Sequence, residues 1–161
     1  MLFKMEKSVK KGISFGLISG IITTLGMIIG LYSITESKLT ILGGILVIAV
    51  ADALSDAMGI HLSEETVKGN TTRSIWHSTL STFFSKFIFA LSFVIPIWFL
   101  DLRIAIICSI IWGGLLISIA SFYISRERKS SPSKAILEHL FIATLVAIAT
   151  YYIGQGVRIL G

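Results

Sequence analysis

Two aspartates, four residues apart, interrupt a long apolar segment near the middle of the chain. They are Asp52 and Asp56 in the run ADALSDAMG, residues 51–59. On a helix, residues at this spacing share one face, with Cβ atoms about 6 Å apart. Two carboxylates this close in a low dielectric resist holding two negative charges, so one proton is retained until a cation arrives. A divalent metal replaces protons directly at such a pair, which is the exchange that a metal/proton antiporter needs.

The depth of these aspartates limits what can surround them. At 1.5 Å per residue, Asp52 lies about 2 Å and Asp56 about 8 Å from the midpoint of the apolar segment 39–62. Each central aspartate costs about 2.5 to 3.5 kcal/mol on membrane insertion, so both must face other helices, water or a cation. The alternative is a structural ion pair inside the bundle. For that pair, the only basic residue inside or at the edge of the neighbouring segments is Lys86.

Other oxygen and sulfur atoms are candidates for the same site. Ser19 and Thr23 lie one turn apart in the first apolar segment and are expected to place hydroxyls beside the acidic stripe. Their alternative role is hydrogen bonding to the backbone one turn back. Met58 offers a soft thioether, although methionine in a membrane helix more often packs.

Acidic residues also follow the aspartate segment. Glu64 and Glu65 are candidates for attracting cations before entry. The alternative is a solvated rim, neutralised by nearby basic residues (Lys68, Arg73 and Lys134).

Motifs of soluble enzymes are missing. The chain has no phosphate-binding glycine loop, no His-Glu-x-x-His and no serine elbow. Two aspartates on one helix also differ from an intramembrane aspartyl protease dyad, whose carboxylates come from separate helices. The single cysteine, Cys108, excludes a disulfide framework within one chain. We therefore predict that the protein is not an enzyme.

The composition shows which elements must position these residues. Of 161 residues, 54% are hydrophobic and 14% are charged, against about a quarter charged in a soluble domain. A bilayer core needs roughly 20 mostly apolar residues per helix. The sequence therefore predicts one all-α transmembrane domain over residues 1–161, in which a short loop, 63–79, joins the second and third of five helices. The predicted helices are about 12–35, 39–62, 80–100, 104–125 and 135–157.

Basic residues predict the orientation of this domain, because they concentrate on the cytoplasmic side of membranes. Ten lie on one side of the predicted helices and three on the other. The ten are Lys4, Lys7, Lys10, Lys11, Lys68, Arg73, Arg126, Arg128, Lys129 and Lys134, and the three are Lys38, Arg103 and Arg158. The N-terminus is expected in the cytoplasm and the C-terminus outside. The net charge of +5 is thus a topology signal, and no nucleic-acid partner is expected.

Three local features add detail to the predicted helices. Gly12, Gly16 and Gly20 recur every four residues, which predicts a face for close helix packing or for a dimer. Pro96 is expected to bend the third helix, and Ser131-Pro132 to start the fifth.

Two stretches resemble the vacuolar iron transporter family of divalent metal/proton antiporters. They are residues 16–24 (GLISGIITT) followed by Gly30-Leu31, and residues 51–63 (ADALSDAMGIHLS). Family members show an SDG-like sequence in the first helix and an ADGLSMAxGxYLS-like run in the second. The resemblance extends over the chain, through residues 95–97 and 150–154, and implies the same five-helix topology with a cytoplasmic N-terminus.

The chain departs from the family pattern at the metal site. The family's metal-binding aspartate of the first helix falls on Ser19, and its second-helix methionine falls on Asp56, while Asp52 matches. The resemblance therefore implies a site that keeps its carboxylate count and loses a thioether. Such an oxygen-rich site suits Mn²⁺ as well as Fe²⁺. The chain also lacks the family's long Glu-rich cytoplasmic insert, of which Glu64 and Glu65 would be a remnant.

The resemblance implies a homodimeric exporter of Fe²⁺ or Mn²⁺ that exchanges metal for protons. Its first helices would meet near the twofold axis, and no resident cofactor is expected. The bilayer would be the plasma membrane if the source is prokaryotic. Two alternatives remain open, a membrane scaffold that kept the fold and lost transport, and a passive cation channel.

Overall fold

The computed structural model describes residues 7–160, which form α-helices joined by short connections. Predictions that involve Lys4 lie outside these residues. The helices are α1 (Lys7–Thr35), α2 (Lys38–Glu65), α3 (Thr72–Ser92), α4 (Val94–Phe99), α5 (Leu102–Glu127) and α6 (Pro132–Leu160). Five spans are long and apolar enough to cross a membrane, with α3 and α4 together forming one span, Thr72–Phe99. The predicted five-span, all-helical membrane domain is confirmed.

The third span begins earlier than the sequence predicted. It starts at Thr72 rather than near Leu80, because the Thr71 hydroxyl caps the helix by accepting a hydrogen bond from the backbone N–H of Ser74 at 3.2 Å. The first turns are rich in serine and threonine, so hydropathy alone places the start too late. As a consequence, Lys86 lies at the middle of its span and not near a helix end.

The bend predicted at Pro96 is present as a helix break. Helix α3 ends at Ser92, and α4 starts at Val94. Proline has no N–H to bond the carbonyl of Ser92 four residues back, and its ring crowds that carbonyl. The predicted start of the last helix at Pro132 is also found.

The bundle has an apolar core and an apolar outer surface. A cluster of buried aliphatic residues on α1 and α2 includes Ile21, Ile28, Ile41 and Ile45. In α6, by contrast, the only buried residue is Gly154. Large apolar side chains cover the outside along every span. Such a surface requires lipid as its solvent, so the protein is an integral, multi-pass membrane protein.

The glycine stripe of α1 packs against α3. A Cβ atom on Gly16 would lie 2.5 Å from the carbonyl oxygen of Thr82, and one on Gly20 would lie 3.0 Å from Cγ of Lys86. The missing side chains therefore let α3 approach α1 closely. The stripe therefore has the packing role inside the protomer that was predicted, and its role in a dimer stays a prediction.

Candidate functional site

Helices α1 and α2 pair their polar residues in register near the middle of the bundle. The Ser19 hydroxyl donates a hydrogen bond to Oδ2 of Asp56 at 2.7 Å, and the Thr23 hydroxyl lies 2.8 Å from Oδ2 of Asp52. Ser19 and Thr23 lie one turn apart on α1, and Asp52 and Asp56 lie one turn apart on α2. Two hydroxyls of α1 therefore face two carboxylates of α2. The hydroxyl of Thr23 also lies 3.0 Å from the Ser19 carbonyl, its expected backbone partner.

Lys86 of α3 inserts its ammonium group into this cluster. Its Nζ lies 2.6 Å from Oδ2 of Asp52 and forms a second ion pair with Oδ2 of Asp56. It also donates a hydrogen bond to the Ser19 hydroxyl at 3.0 Å. The ammonium therefore donates two hydrogen bonds, to Ser19 and Asp56, and pairs in charge with both aspartates. We call Ser19, Thr23, Asp52, Asp56 and Lys86 the central cluster.

The position of Lys86 follows from the glycine stripe. The aliphatic part of its side chain runs past Gly20, where a methyl group would lie 3.0 Å from Cγ and 3.1 Å from the Lys86 carbonyl oxygen. A larger residue at position 20 would push α3 outward. The close α1–α3 contact is therefore what brings the ammonium to the carboxylates.

The central cluster carries a net negative charge. Two carboxylates and one ammonium give a formal charge of −1. The Lys86 side chain is only 2% exposed, whereas those of Asp52 and Asp56 are 27% and 23% exposed. The ammonium is therefore enclosed by protein, while the two carboxylates remain partly exposed.

A cavity of about 940 Å³ leads from the N-terminal end of α1 to Ser19 and Thr23. Its walls are apolar, with residues such as Phe15 and Ile18, and its mouth is basic. Charged residues at the mouth are Lys7, Lys10, Lys11, Glu127 and Arg128, of which Lys10 and Glu127 form an ion pair. The hydroxyl side of the central cluster therefore faces a water-sized route to one end of the bundle.

Three of the predicted site residues do not join the central cluster. Met58 is 55% exposed on the outer face of α2. Glu64 lies eight residues beyond Asp56, about 12 Å along the helix. Its side chain is 7% exposed and is held by Lys11 and by the side-chain amide of Asn70 at 2.9 Å. Glu65 is half exposed and lies 3.4 Å from Nε2 of His61.

The donor set of the central cluster fits a hard cation better than a soft one. Within residues 7–160, no three His, Cys, Asp or Glu side chains come together as a metal site. The cluster instead offers two carboxylates and two hydroxyls. Oxygen-only ligands suit Mn²⁺ and similar ions, with water completing the coordination shell.

The chain matches a known protein family over a region that begins near the end of α2. The sequence profile of the VIT family matches residues 63–155, more than half of the protein. The chain belongs to the VIT family. Members of this family transport metal ions. The predicted membership of the vacuolar iron transporter family is thereby confirmed, and residues 66–71, the only link between α2 and α3, leave no room for a long insert. No curated protein matches the chain.

The family match and the central cluster are separate lines of evidence. The matched region includes Lys86, Glu64 and Glu65 but starts after Asp56, so none of the four oxygen-bearing residues that surround Lys86 in the central cluster lies within it. Lys86 is the one basic partner that the sequence indicates, and hydropathy predicts it near the start of the third helix. The signal for its central position is Thr71, a capping residue that marks the start of the span Thr72–Phe99.

Proposed function

We propose that this VIT family protein exports a divalent transition metal, Fe²⁺ or Mn²⁺, from the cytoplasm in exchange for protons. One observation carries the proposal. Two carboxylates of α2, each hydrogen-bonded to a hydroxyl of α1, hold a cationic group between them in the middle of the bundle, the ammonium of Lys86. In a membrane-embedded protein, carboxylates at this depth are costly and commonly mark an ion pathway.

The proposed roles follow from the chemistry of each side chain. Asp52 and Asp56 bind the metal; in its absence they pair with Lys86, and the remaining negative charge of the central cluster can take up a proton. Ser19 and Thr23 supply neutral oxygens that orient the carboxylates. A metal that brings two positive charges to the two carboxylates replaces protons there, which couples the two fluxes.

The proposal includes the predicted orientation and assembly. The N-terminus is cytoplasmic, so the cavity beside Lys7 and Arg128 opens toward the metal supply. The protein functions as a homodimer whose α1 helices lie near the twofold axis. Phe15 of α1, in the wall of the cavity, is 42% exposed and is available for such a contact.

A second candidate function is a membrane scaffold that has lost transport. The ion pairs of Lys86 favour it, because a cluster whose carboxylates are already paired needs no metal to fold. Flux measurements separate the two candidates, since a scaffold moves neither metal nor protons.

The test is transport by the purified protein in liposomes with Mn²⁺ outside and a pH indicator inside. The wild type is expected to admit Mn²⁺ and to release protons in the opposite direction. Asp56→Asn is expected to abolish both fluxes and to retain the fold, because Lys86 keeps its 2.6 Å ion pair with Asp52. Asp101→Asn is the matched control. Asp101 starts α5 without a side-chain capping bond, so its flux should equal that of the wild type.

Three results would contradict the proposal. Flux through Asp56→Asn equal to the wild type would remove the central cluster from transport. Mn²⁺ entry without proton movement would indicate a channel. No flux in the wild type, with the protein folded and inserted, would favour the scaffold.

A further inference from the structure

The ammonium of Lys86 occupies the position that a transported cation would take. It contacts Oδ2 of both aspartates, the two residues proposed to bind the metal, and the Ser19 hydroxyl beside them. A structural lysine that only balanced charge would need one carboxylate. This one pairs with two carboxylates at once and donates hydrogen bonds to Asp56 and to the Ser19 hydroxyl, so its charge is shared among several oxygens as that of a bound cation would be.

A metal and this ammonium cannot share those oxygens. Divalent metals of this size bind oxygen at about 2.0 to 2.2 Å. A metal bound to Oδ2 of Asp52 would therefore approach within about 5 Å of the Lys86 ammonium, whose Nζ lies 2.6 Å from the same atom. At that distance, two like charges in a membrane interior repel strongly. One cation must leave for the other to bind.

We propose that Lys86 is a tethered cation that competes with the divalent metal and sets the concentration at which the metal enters. This inference rests on the proposed function for the identity of the cargo. The Lys86 side chain is anchored to α3 and therefore always stays close to the site, whereas the metal must arrive from solution. The metal has the larger charge and wins at sufficient concentration, displacing the ammonium.

The size of the effect follows from what the metal must displace. Separating a buried charge from its partner costs 3 kcal/mol or more, which corresponds to about a 100-fold change in an equilibrium constant. Removing the ammonium without replacing its charge is therefore expected to raise the metal affinity at least about 100-fold.

The experiment compares Mn²⁺ binding to purified wild type, Lys86→Met, Lys86→Gln and Lys86→Arg by titration calorimetry in detergent. The methionine and glutamine variants are expected to bind at least about 100-fold more tightly than the wild type. Lys86→Gln keeps two N–H donors for the carboxylates and serves as a second uncharged variant if the methionine variant fails to fold. Lys86→Arg keeps the charge and is expected to bind no more tightly than the wild type. A double variant, Lys86→Met with Asp56→Asn, is expected to lose the gained affinity.

Two outcomes would overturn the inference. One is a folded Lys86→Met or Lys86→Gln that binds Mn²⁺ no more tightly than the wild type. The other is a Lys86→Arg that binds tenfold more tightly, and this variant gives an answer even if the uncharged ones fail to fold. Failure of the proposed function looks different. If the wild type moves no metal but Lys86→Met binds it tightly, Lys86 remains the competitor in a protein that does not transport.

Discussion

Replacing Gly16 by alanine tests whether the glycine stripe positions the central cluster. The new Cβ atom would lie 2.5 Å from the carbonyl oxygen of Thr82 and 3.1 Å from the backbone nitrogen of Lys86. Ordinary contacts begin near 3.4 Å, and both neighbours are backbone atoms, so α3 must retreat by about 0.9 Å. The 3.0 Å hydrogen bond from Lys86 to Ser19 would then exceed the limit for such a bond.

The expected change in the free energy of unfolding combines three effects. Overpacking costs about 1 to 3 kcal/mol. Loss of a hydrogen bond from a charged group costs about 1.5 to 3 kcal/mol. Alanine returns about 1 kcal/mol through its higher helix propensity. Gly16→Ala is therefore expected to destabilise the protein by about 1.5 to 5 kcal/mol.

Gly114→Ala is the matched control for this prediction. Gly114 lies in α5, and a Cβ atom there would meet no atom within 4 Å. This variant is expected to equal the wild type or exceed it by up to about 1 kcal/mol. The assay is helicity by circular dichroism during unfolding of the micelle-bound protein in SDS. A Gly16→Ala protein as stable as Gly114→Ala would refute the role assigned to the stripe.

Two further pairs of variants test individual contacts. Thr23→Val removes the hydroxyl beside Asp52 and is expected to cost about 1.5 to 3 kcal/mol of stability. Thr24→Val one residue later is expected to gain about 1 kcal/mol, because the buried Thr24 hydroxyl has no partner among the described residues. Equal effects of the two substitutions would contradict the hydrogen-bond assignment. Glu64→Gln, which removes the ion pair with Lys11, is expected to cost about 1 to 3 kcal/mol, and Glu65→Gln at a half-exposed position less than about 0.5 kcal/mol. Both pairs are measured by the same unfolding assay. A larger loss of stability for Glu65→Gln than for Glu64→Gln would contradict the assignment of Glu64 as the buried, paired carboxylate.

The sequence predicts the membrane helices well because length and hydropathy determine them directly. The five spans and the starts of α2 and α6 all lie close to where apolar runs and capping residues place them. The start of α3 is the exception. Its first turns contain Thr72, Ser74 and Ser78, and polar side chains in a helix interior lower the hydropathy without breaking the helix.

The shared faces of the four oxygen-bearing residues in the central cluster are predictable from their spacing. The position of Lys86 depends on tertiary packing. The spacing of Asp52 and Asp56 gives their common face, and that of Ser19 and Thr23 matches it turn for turn. Nothing in local sequence tells how close α3 comes to α1, which depends on the missing side chains at Gly16 and Gly20. The burial of Glu64 against Lys11 is likewise a contact between distant segments, so the sequence could offer Glu64 only as an exposed residue, either one that attracts cations or one of a solvated rim.

The central claim is that the oxygens of Asp52 and Asp56 form the cation site. The most direct test is a structure of the wild type soaked in millimolar Mn²⁺, with anomalous scattering recorded to locate the metal. The account predicts an anomalous peak within about 2.0 to 2.3 Å of oxygens from both aspartates, with the Lys86 ammonium displaced. A peak elsewhere, with Lys86 still bonded to both carboxylates, would contradict it.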